Sequence, residues 1–98
     1  MKYEIIWAPE AISDWKRLKP TDRVIVKGAI ETHLRYEPKK VSKSRIKRLR
    51  KMVHPQYRLR IGEFRIFYDV TEGDVNILAV VSKSQSASWL GEKGEKES

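Results

Sequence analysis

Three arginines at alternating positions around a Gly-Glu dipeptide are the residues of this chain best suited to chemistry on an anion. Residues 57–68 read YRLRIGEFRIFY, two alternating polar and apolar runs separated by a two-residue loop. A hairpin with Gly62 at the positive-φ position of a II′ turn pairs Arg60 with Arg65 and leaves Arg58 nearby. Guanidinium groups bind phosphate bidentately, so they can stabilise the negative charge that develops during phosphoryl transfer.

The hairpin divides its side chains between two faces, because successive residues of a strand point in opposite directions. The face predicted to pack in the core carries Tyr57, Leu59, Ile61, Phe64, Ile66 and Tyr68. The other, which we call the arginine face, carries Arg58, Arg60, Arg65 and Phe67. Facing arginines destabilise a hairpin, and a bound polyanion would relieve the repulsion. We expect Arg60 and Arg65 to add no core volume, and Phe67 either to stack on a nucleic-acid base or to be covered by the C-terminal segment.

Composition limits the class of protein. The chain has 98 residues, a formal net charge of +8 and a pI near 9.9, which suit one small domain with a nucleic-acid or acidic protein partner. It has no cysteine and two histidines, so we expect no metal or other cofactor. No apolar run is long enough for a signal-peptide core or a membrane span, which predicts a cytoplasmic protein without membrane contact.

The elements that must position the arginines follow from the pattern of apolar residues. We predict a strand at 3–7, helices at 10–18 and about 22–36, the arginine hairpin at 57–68 and a strand at 75–81. Pro20 ends the first helix, and Thr21 or Asp22 caps the second. The fold class is α+β, with an N-terminal strand, a helical hairpin and a three-stranded antiparallel meander forming a small sheet. Residues 1–90 form a single domain, and the tail at 91–98 (GEKGEKES) is predicted to be disordered.

A basic segment leads into the hairpin. Residues 39–51 contain eight lysines or arginines among thirteen residues and no acid. Such a run is either a solvated linker or a surface for an anionic partner, and its position before the arginine hairpin favours the second. The candidate RNA-binding residues of this basic segment are Lys43, Arg45, Lys47, Arg48, Arg50 and Lys51.

The order of elements, the approach RLRKM at 48–52 and the pattern YRLRIGEFRIFYDV at 57–70 resemble the RelE/ParE superfamily of bacterial and archaeal type II toxins. The similarity runs from about Tyr3 to Val81. RelE-like members enter the ribosomal A site and cut messenger RNA without a metal. The resemblance therefore implies a ribosome-dependent mRNA endoribonuclease that a cognate antitoxin neutralises, with Arg58, Arg60 and Arg65 at catalytic positions. The basic segment would contact the antitoxin or ribosomal RNA.

The chain departs from the superfamily pattern near its C-terminus. An ungapped alignment puts Ser84 where RelE-like members have a late catalytic Arg, with Lys83 beside it as an RNA-binding candidate, and Leu90 where they have a Tyr or His. Neither Ser84 nor Leu90 supplies a general base. His54 and Asp69 are weaker candidates for proton transfer. The departures leave open a ParE-like or catalytically degenerate toxin that binds DNA gyrase or another target without cleaving RNA, and a non-enzymatic RNA-binding module.

Overall fold

The computed structural model describes residues 1–97. One helical pair and a mixed sheet make up most of the chain, and a third helix follows the last long strand. In chain order the elements are β1 (Glu4–Trp7), α1 (Pro9–Lys16), α2 (Pro20–Leu34), β2 (Ile46–Arg48), β3 (Met52–His54), β4 (Tyr57–Ile61), β5 (Phe64–Val70), β6 (Asp74–Ser82), α3 (Ser86–Lys93) and β7 (Glu95–Lys96).

Five strands form the main sheet in the order β1-β6-β5-β4-β2. The strands β4, β5 and β6 are the predicted antiparallel meander. The first strand pairs with β6 in parallel. The sequence pattern missed β2, β3 and β7, because each has only two or three residues and too few apolar positions to show an alternation. The α+β class is confirmed, with β2 added at one edge of the main sheet and with β3 and β7 paired in a separate two-stranded sheet.

The core lies between the α1–α2 pair and one face of the main sheet. The helices contribute Ala11, Val26, Ile30 and Leu34, and the sheet contributes Ile46, Leu59, Ile66, Tyr68, Val75, Ile77 and Val80. The six apolar hairpin residues predicted to share a face all pack in or against this core. The hydroxyl of buried Tyr68 donates a 2.6 Å hydrogen bond to the carbonyl of Pro38. Burial raises the pKa of Tyr68, and the neighbouring Tyr57 contributes to the same shift.

Proline sets where both N-terminal helices begin. Pro9 and Pro20 each occupy the start of a helix, where the missing N–H costs no hydrogen bond. The prediction that Thr21 or Asp22 caps α2 is wrong, because Lys19 is the N-cap residue and Pro20 opens the helix rather than only ending the previous one. The two helices are tied together by a 2.9 Å hydrogen bond from the Trp15 indole to the Arg23 carbonyl.

The prediction of a disordered tail does not hold for residues 91–97. Gly91 to Lys93 complete α3, and Glu95–Lys96 pair with β3 as an antiparallel strand. The Glu97 N–H also donates to the Lys51 carbonyl at 2.9 Å. Backbone pairing needs no apolar side chain, which is why composition did not reveal it. Ser98 lies outside the residues that the structure describes.

Two glycines of this C-terminal segment should respond oppositely to alanine. A Cβ on Gly94 would lie 2.5 Å from both the Leu90 carbonyl oxygen and Met52 Cε, whereas a Cβ on Gly91 would meet nothing within 4 Å. We expect Gly94→Ala to lower the free energy of unfolding by about 1–3 kcal/mol through overpacking. Gly91→Ala should raise it by about 0.5–1 kcal/mol, because alanine favours the helix. Urea denaturation of both variants checks this, and a stabilising Gly94→Ala would mean that the segment does not pack on Met52.

Within residues 1–97, no helix combines the length and the apolar character that a bilayer-spanning helix requires.

Candidate functional site

The hairpin has the predicted register. Arg60 lies opposite Arg65, Arg58 lies opposite Phe67, and Gly62 has a φ of 53° at the first loop position. A positive φ there is what a II′ turn requires, and glycine adopts it without a steric penalty. The three arginines therefore come from neighbouring strands and share one face of a sheet whose other face is anchored in the core.

Arg65 is built into the structure rather than displayed on its surface. Only 5% of the residue is exposed, and its Nη1 donates 2.9 Å hydrogen bonds to the carbonyl oxygens of Gly62 and Phe64. The expectation that this side chain adds no core volume is therefore wrong for Arg65 and right for the exposed Arg60. The buried guanidinium holds the hairpin loop, so Arg65 has a structural task in addition to its charge.

Arg58 is the arginine with an unmet bonding requirement. Its Nε is buried and has no hydrogen-bond partner among residues 1–97. Burial, followed by the positive charges of Arg65 and Arg60, lowers the pKa of Arg58. An arginine nevertheless stays protonated at neutral pH. The cluster thus concentrates positive charge around a buried donor that has no acceptor among residues 1–97.

Phe67 is not available for base stacking. It is fully buried, and Trp89 of α3 stacks on it with ring centroids 4.8 Å apart and planes 5° from parallel. The interpretation of Phe67 as an RNA-binding residue is therefore wrong, and the alternative in which the C-terminal segment covers it is correct. The helix α3 lies across the middle of the arginine face, with Arg65 on one side of Phe67 along β5 and Asp69 on the other.

The basic segment divides between the two faces of the sheet. Lys47 lies opposite Arg58 and extends the arginine face to the edge strand β2. Arg48 instead lies opposite Tyr57, with its guanidinium carbon 5.3 Å from that ring's centroid, and it donates to the carbonyls of Leu49 and Gln56. Arg48 is therefore engaged within the protein. The remaining candidates of this segment are exposed, namely Lys43, Arg45, Arg50 and Lys51.

The positions near the C-terminus hold no acid–base group. Ser84 is exposed in a short 3₁₀ turn, and Leu90 is half-buried beside Met52 and Leu49 in a groove between α3 and the basic segment. Lys83 is exposed, and its backbone N–H donates to the Glu63 carbonyl at 2.7 Å, which brings it next to the hairpin loop. Positions 84 and 90 thus supply no proton acceptor, and Lys83 adds one cation next to the hairpin loop.

A His–Asp pair lies at the far end of the hairpin from its loop. Nδ1 of His54 is 2.7 Å from Oδ2 of Asp69. The sequence suggested His54 and Asp69 separately as candidates for proton transfer. Their pairing depends on the position of β3, and it could not be predicted because that short strand was not predicted. One feature of the sequence did indicate that Asp69 shares the arginine face. Asp69 follows Arg65 and Phe67 at intervals of two residues, and such residues of a strand point to the same side.

Comparison with known proteins identifies the family. The family model described as "ParE toxin of type II toxin-antitoxin system, parDE" matches residues 5–87. The chain belongs to this toxin family. No curated protein sequence matches the chain significantly. The family match confirms the resemblance to the RelE/ParE superfamily that the hairpin pattern indicated.

Solved structures show the same fold. The archaeal RelE–RelB complex from Pyrococcus horikoshii superposes with a TM-score of 0.70 at 20% identity, over 87% of this chain and 99% of that one. The toxin–antitoxin complex RelBE2 from Mycobacterium tuberculosis gives 0.69 at 24%, covering 84% and 99%. The RelB–RelE complex from Methanococcus jannaschii gives 0.65 at 21%, covering 86% and 96%. This ParE-family toxin therefore has a RelE-like fold over most of its length.

Proposed function

We propose that this toxin stops growth by binding an RNA phosphodiester on the arginine face and cleaving messenger RNA on the ribosome. The observation that carries the proposal is the cluster of positive charge formed by Arg58, Arg60 and Arg65 on one face of the hairpin. A phosphate bound at this cluster would compensate three like charges at once. In the reaction the same guanidinium groups would stabilise charge developing on the phosphoryl oxygens.

The shape of the positive surface favours a polymer over a small anion. Lys47 continues the arginine face to the sheet edge, and the exposed cations of the basic segment lie beyond it. Lys83 adds a charge at the loop end of the hairpin. A chain of phosphates can follow such a line of charges, and binding should then weaken steeply as salt concentration rises.

The same proposal includes a cognate antitoxin as protein partner. The structural neighbours from the three organisms named above are described as toxin–antitoxin complexes. With a net charge of +8, the toxin would attract an acidic antitoxin segment, and the basic segment at 39–51 is the most charged surface available to it. Electrostatic steering would make that association fast and salt-sensitive.

A second candidate function is inhibition of DNA gyrase by binding. Two observations favour it, namely the ParE description of the matching family model and the Trp89–Phe67 stack that covers the middle of the arginine face. Under this alternative the arginines would be a protein-binding surface, and Ser84 and Leu90 would reflect the absence of nuclease chemistry.

Induction of the toxin alone in a bacterial host, followed by primer extension on a reporter transcript, separates the two functions. The nuclease should produce cuts within codons of the translated reporter and none in a copy that lacks a start codon. Arg60→Ala should abolish the cuts, because it removes one of the proposed phosphate-binding charges. Since Arg60 is exposed, its loss should leave the core unchanged. Lys27→Ala, which removes an exposed charge from α2, is the matched control and should cut like the wild type. Growth arrest without codon-dependent cuts would refute the nuclease and favour gyrase.

A further inference from the structure

The His54–Asp69 pair has the geometry of an acid–base dyad. The 2.7 Å contact joins Nδ1 of the ring to Oδ2 of the carboxylate. An ionised carboxylate can only accept a hydrogen bond, so Nδ1 must carry the proton. In the neutral ring the lone pair then lies on Nε2, the nitrogen that a general base uses. Asp69 therefore selects the tautomer of His54 that can take a proton from a substrate.

Hydrogen bonds fix the Asp69 side of the pair, and the His54 ring is exposed on its other edge. The side chain of Asp69 is 14% exposed, and its Oδ1 accepts a 2.8 Å hydrogen bond from the Gln56 N–H. The Gln56 side chain in turn accepts a hydrogen bond from the Val70 N–H at 2.8 Å. The His54 side chain is 52% exposed, so its Nε2 edge is accessible to a ligand while the Nδ1 edge is fixed.

The pair adjoins the proposed phosphate site. Asp69 is the next residue after Phe67 on the same face of β5, and Phe67 lies opposite Arg58. Asp69 is therefore the diagonal neighbour of Arg58, at a typical separation of about 7–8 Å. Arg58 is the second residue of β4, so a phosphate bound to it would have His54 on the side away from the loop and Arg60 on the loop side.

We propose that His54 is the general base of the cleavage reaction and that Asp69 is its positioning residue. This inference rests on the proposed nuclease function. The ribose 2′-hydroxyl gives its proton to Nε2 of His54 while its oxygen forms a bond to the adjacent phosphorus. The bond from phosphorus to the 5′-oxygen breaks, and that oxygen takes a proton from water. The imidazolium then returns its proton to the hydroxide so formed. The products are a 2′,3′-cyclic phosphate and a 5′-hydroxyl end.

The dyad would supply the group that the C-terminal positions lack. Ser84 and Leu90 cannot accept a proton from a ribose hydroxyl. His54 reaches the same face from β3, at the opposite end of the hairpin from Lys83. The proton acceptor of this toxin would thus come from the segment before the hairpin rather than from the end of the chain.

The test is single-turnover cleavage by the purified full-length toxin on ribosomes programmed with a defined messenger RNA. His54→Gln should slow the cleavage step by roughly 10²–10⁴-fold, the range typical of a lost general base. Asp69→Asn should also slow the cleavage step. An amide can donate a hydrogen bond to Nδ1, which favours the tautomer whose proton is on Nε2 and leaves that nitrogen unable to accept a proton. His33→Gln, at the only other histidine, is the matched control and should cleave at the wild-type rate.

A chemical readout separates catalysis from a structural role. Added imidazole should restore cleavage by His54→Ala in a concentration-dependent way and should not help Arg60→Ala. If His54→Gln cleaves like the wild type, or imidazole fails to rescue a folded His54→Ala protein, the dyad proposal is wrong and the nuclease stands. If the wild-type toxin leaves the messenger RNA intact on these ribosomes, the proposed function itself fails, and the dyad proposal fails with it.

Discussion

Replacing Arg58 with methionine is expected to abolish growth arrest and, in the same molecule, to stabilise the fold. Methionine keeps an unbranched apolar stem in the place of the arginine stem. It removes the buried Nε that has no partner within residues 1–97, and it removes one of three neighbouring positive charges. Relief of one unsatisfied buried donor should raise the free energy of unfolding by about 1–3 kcal/mol. In a domain of this size, each 1 kcal/mol corresponds to a melting-temperature shift of about 4–8 °C.

The loss of function should be as clear as the gain in stability. If Arg58 stabilises charge in the transition state, its removal should slow cleavage by roughly 10²–10³-fold, as losing one preorganised donor does elsewhere. Calorimetry and the single-turnover cleavage assay measure the two effects on one purified preparation. Arg17→Met is the matched control, because Arg17, directly after α1, is 73% exposed. Its ion pair with Asp14 lies at the surface, so its loss should change neither quantity appreciably. A destabilised Arg58→Met would show that the guanidinium is already satisfied in the free toxin.

Arg65→Ala should also abolish growth arrest but should shift stability in the opposite direction. The Arg65 guanidinium is buried and donates to two carbonyls of the hairpin loop. Hydrogen bonds from a charged group contribute about 1.5–3 kcal/mol, so the variant should lose stability on that scale. Hydrogen exchange should locate the change, with faster exchange of the loop-proximal amides of β4 and β5 than of β1 or α2.

Arg60→Ala is the appropriate comparison for Arg65→Ala. The two residues face each other across the hairpin, but Arg60 is exposed. Its removal relieves a like-charge pair at no cost in packing, so stability should stay within about 0.5 kcal/mol of the wild type while growth arrest is lost. Equal stability losses in Arg60→Ala and Arg65→Ala would contradict the structural task assigned to Arg65.

The hairpin was predictable because two independent local signals agree on one register. Alternation fixes which side chains share a face, and Gly62 fixes the loop between the strands. The alternation does not predict how far each side chain is buried. Arg60 and Arg65 are equivalent in sequence spacing, yet one is exposed and the other is buried. Arg65 lies on β5 between β4 and the nine-residue β6, whereas Arg60 lies on β4 beyond the paired residues of the three-residue edge strand β2.

The rest of the site depended on contacts between short or polar elements. The sequence left two alternatives for Phe67, and the packing of Trp89 from α3, whose start is polar and serine-rich, decides between them. The His54–Asp69 pair follows from β3, a three-residue strand with no alternation to detect. The ordered C-terminal segment follows from backbone pairing that composition does not report. In each case a tertiary contact overrides the local preference.

The parallel pairing of β1 with β6 has a consequence for how the toxin matures on the ribosome that makes it. Glu4 pairs with Asp74, 70 positions later, so the first strand to be synthesised has no partner until nearly the last strand exists. At ordinary elongation rates that interval is about 4–14 s. The β4–β5 hairpin that carries the arginines can pair earlier, because its two strands are neighbours in the chain. The core beneath it is completed only when β6 adds Val75, Ile77 and Val80, so the arginine face would gain its full support late in synthesis.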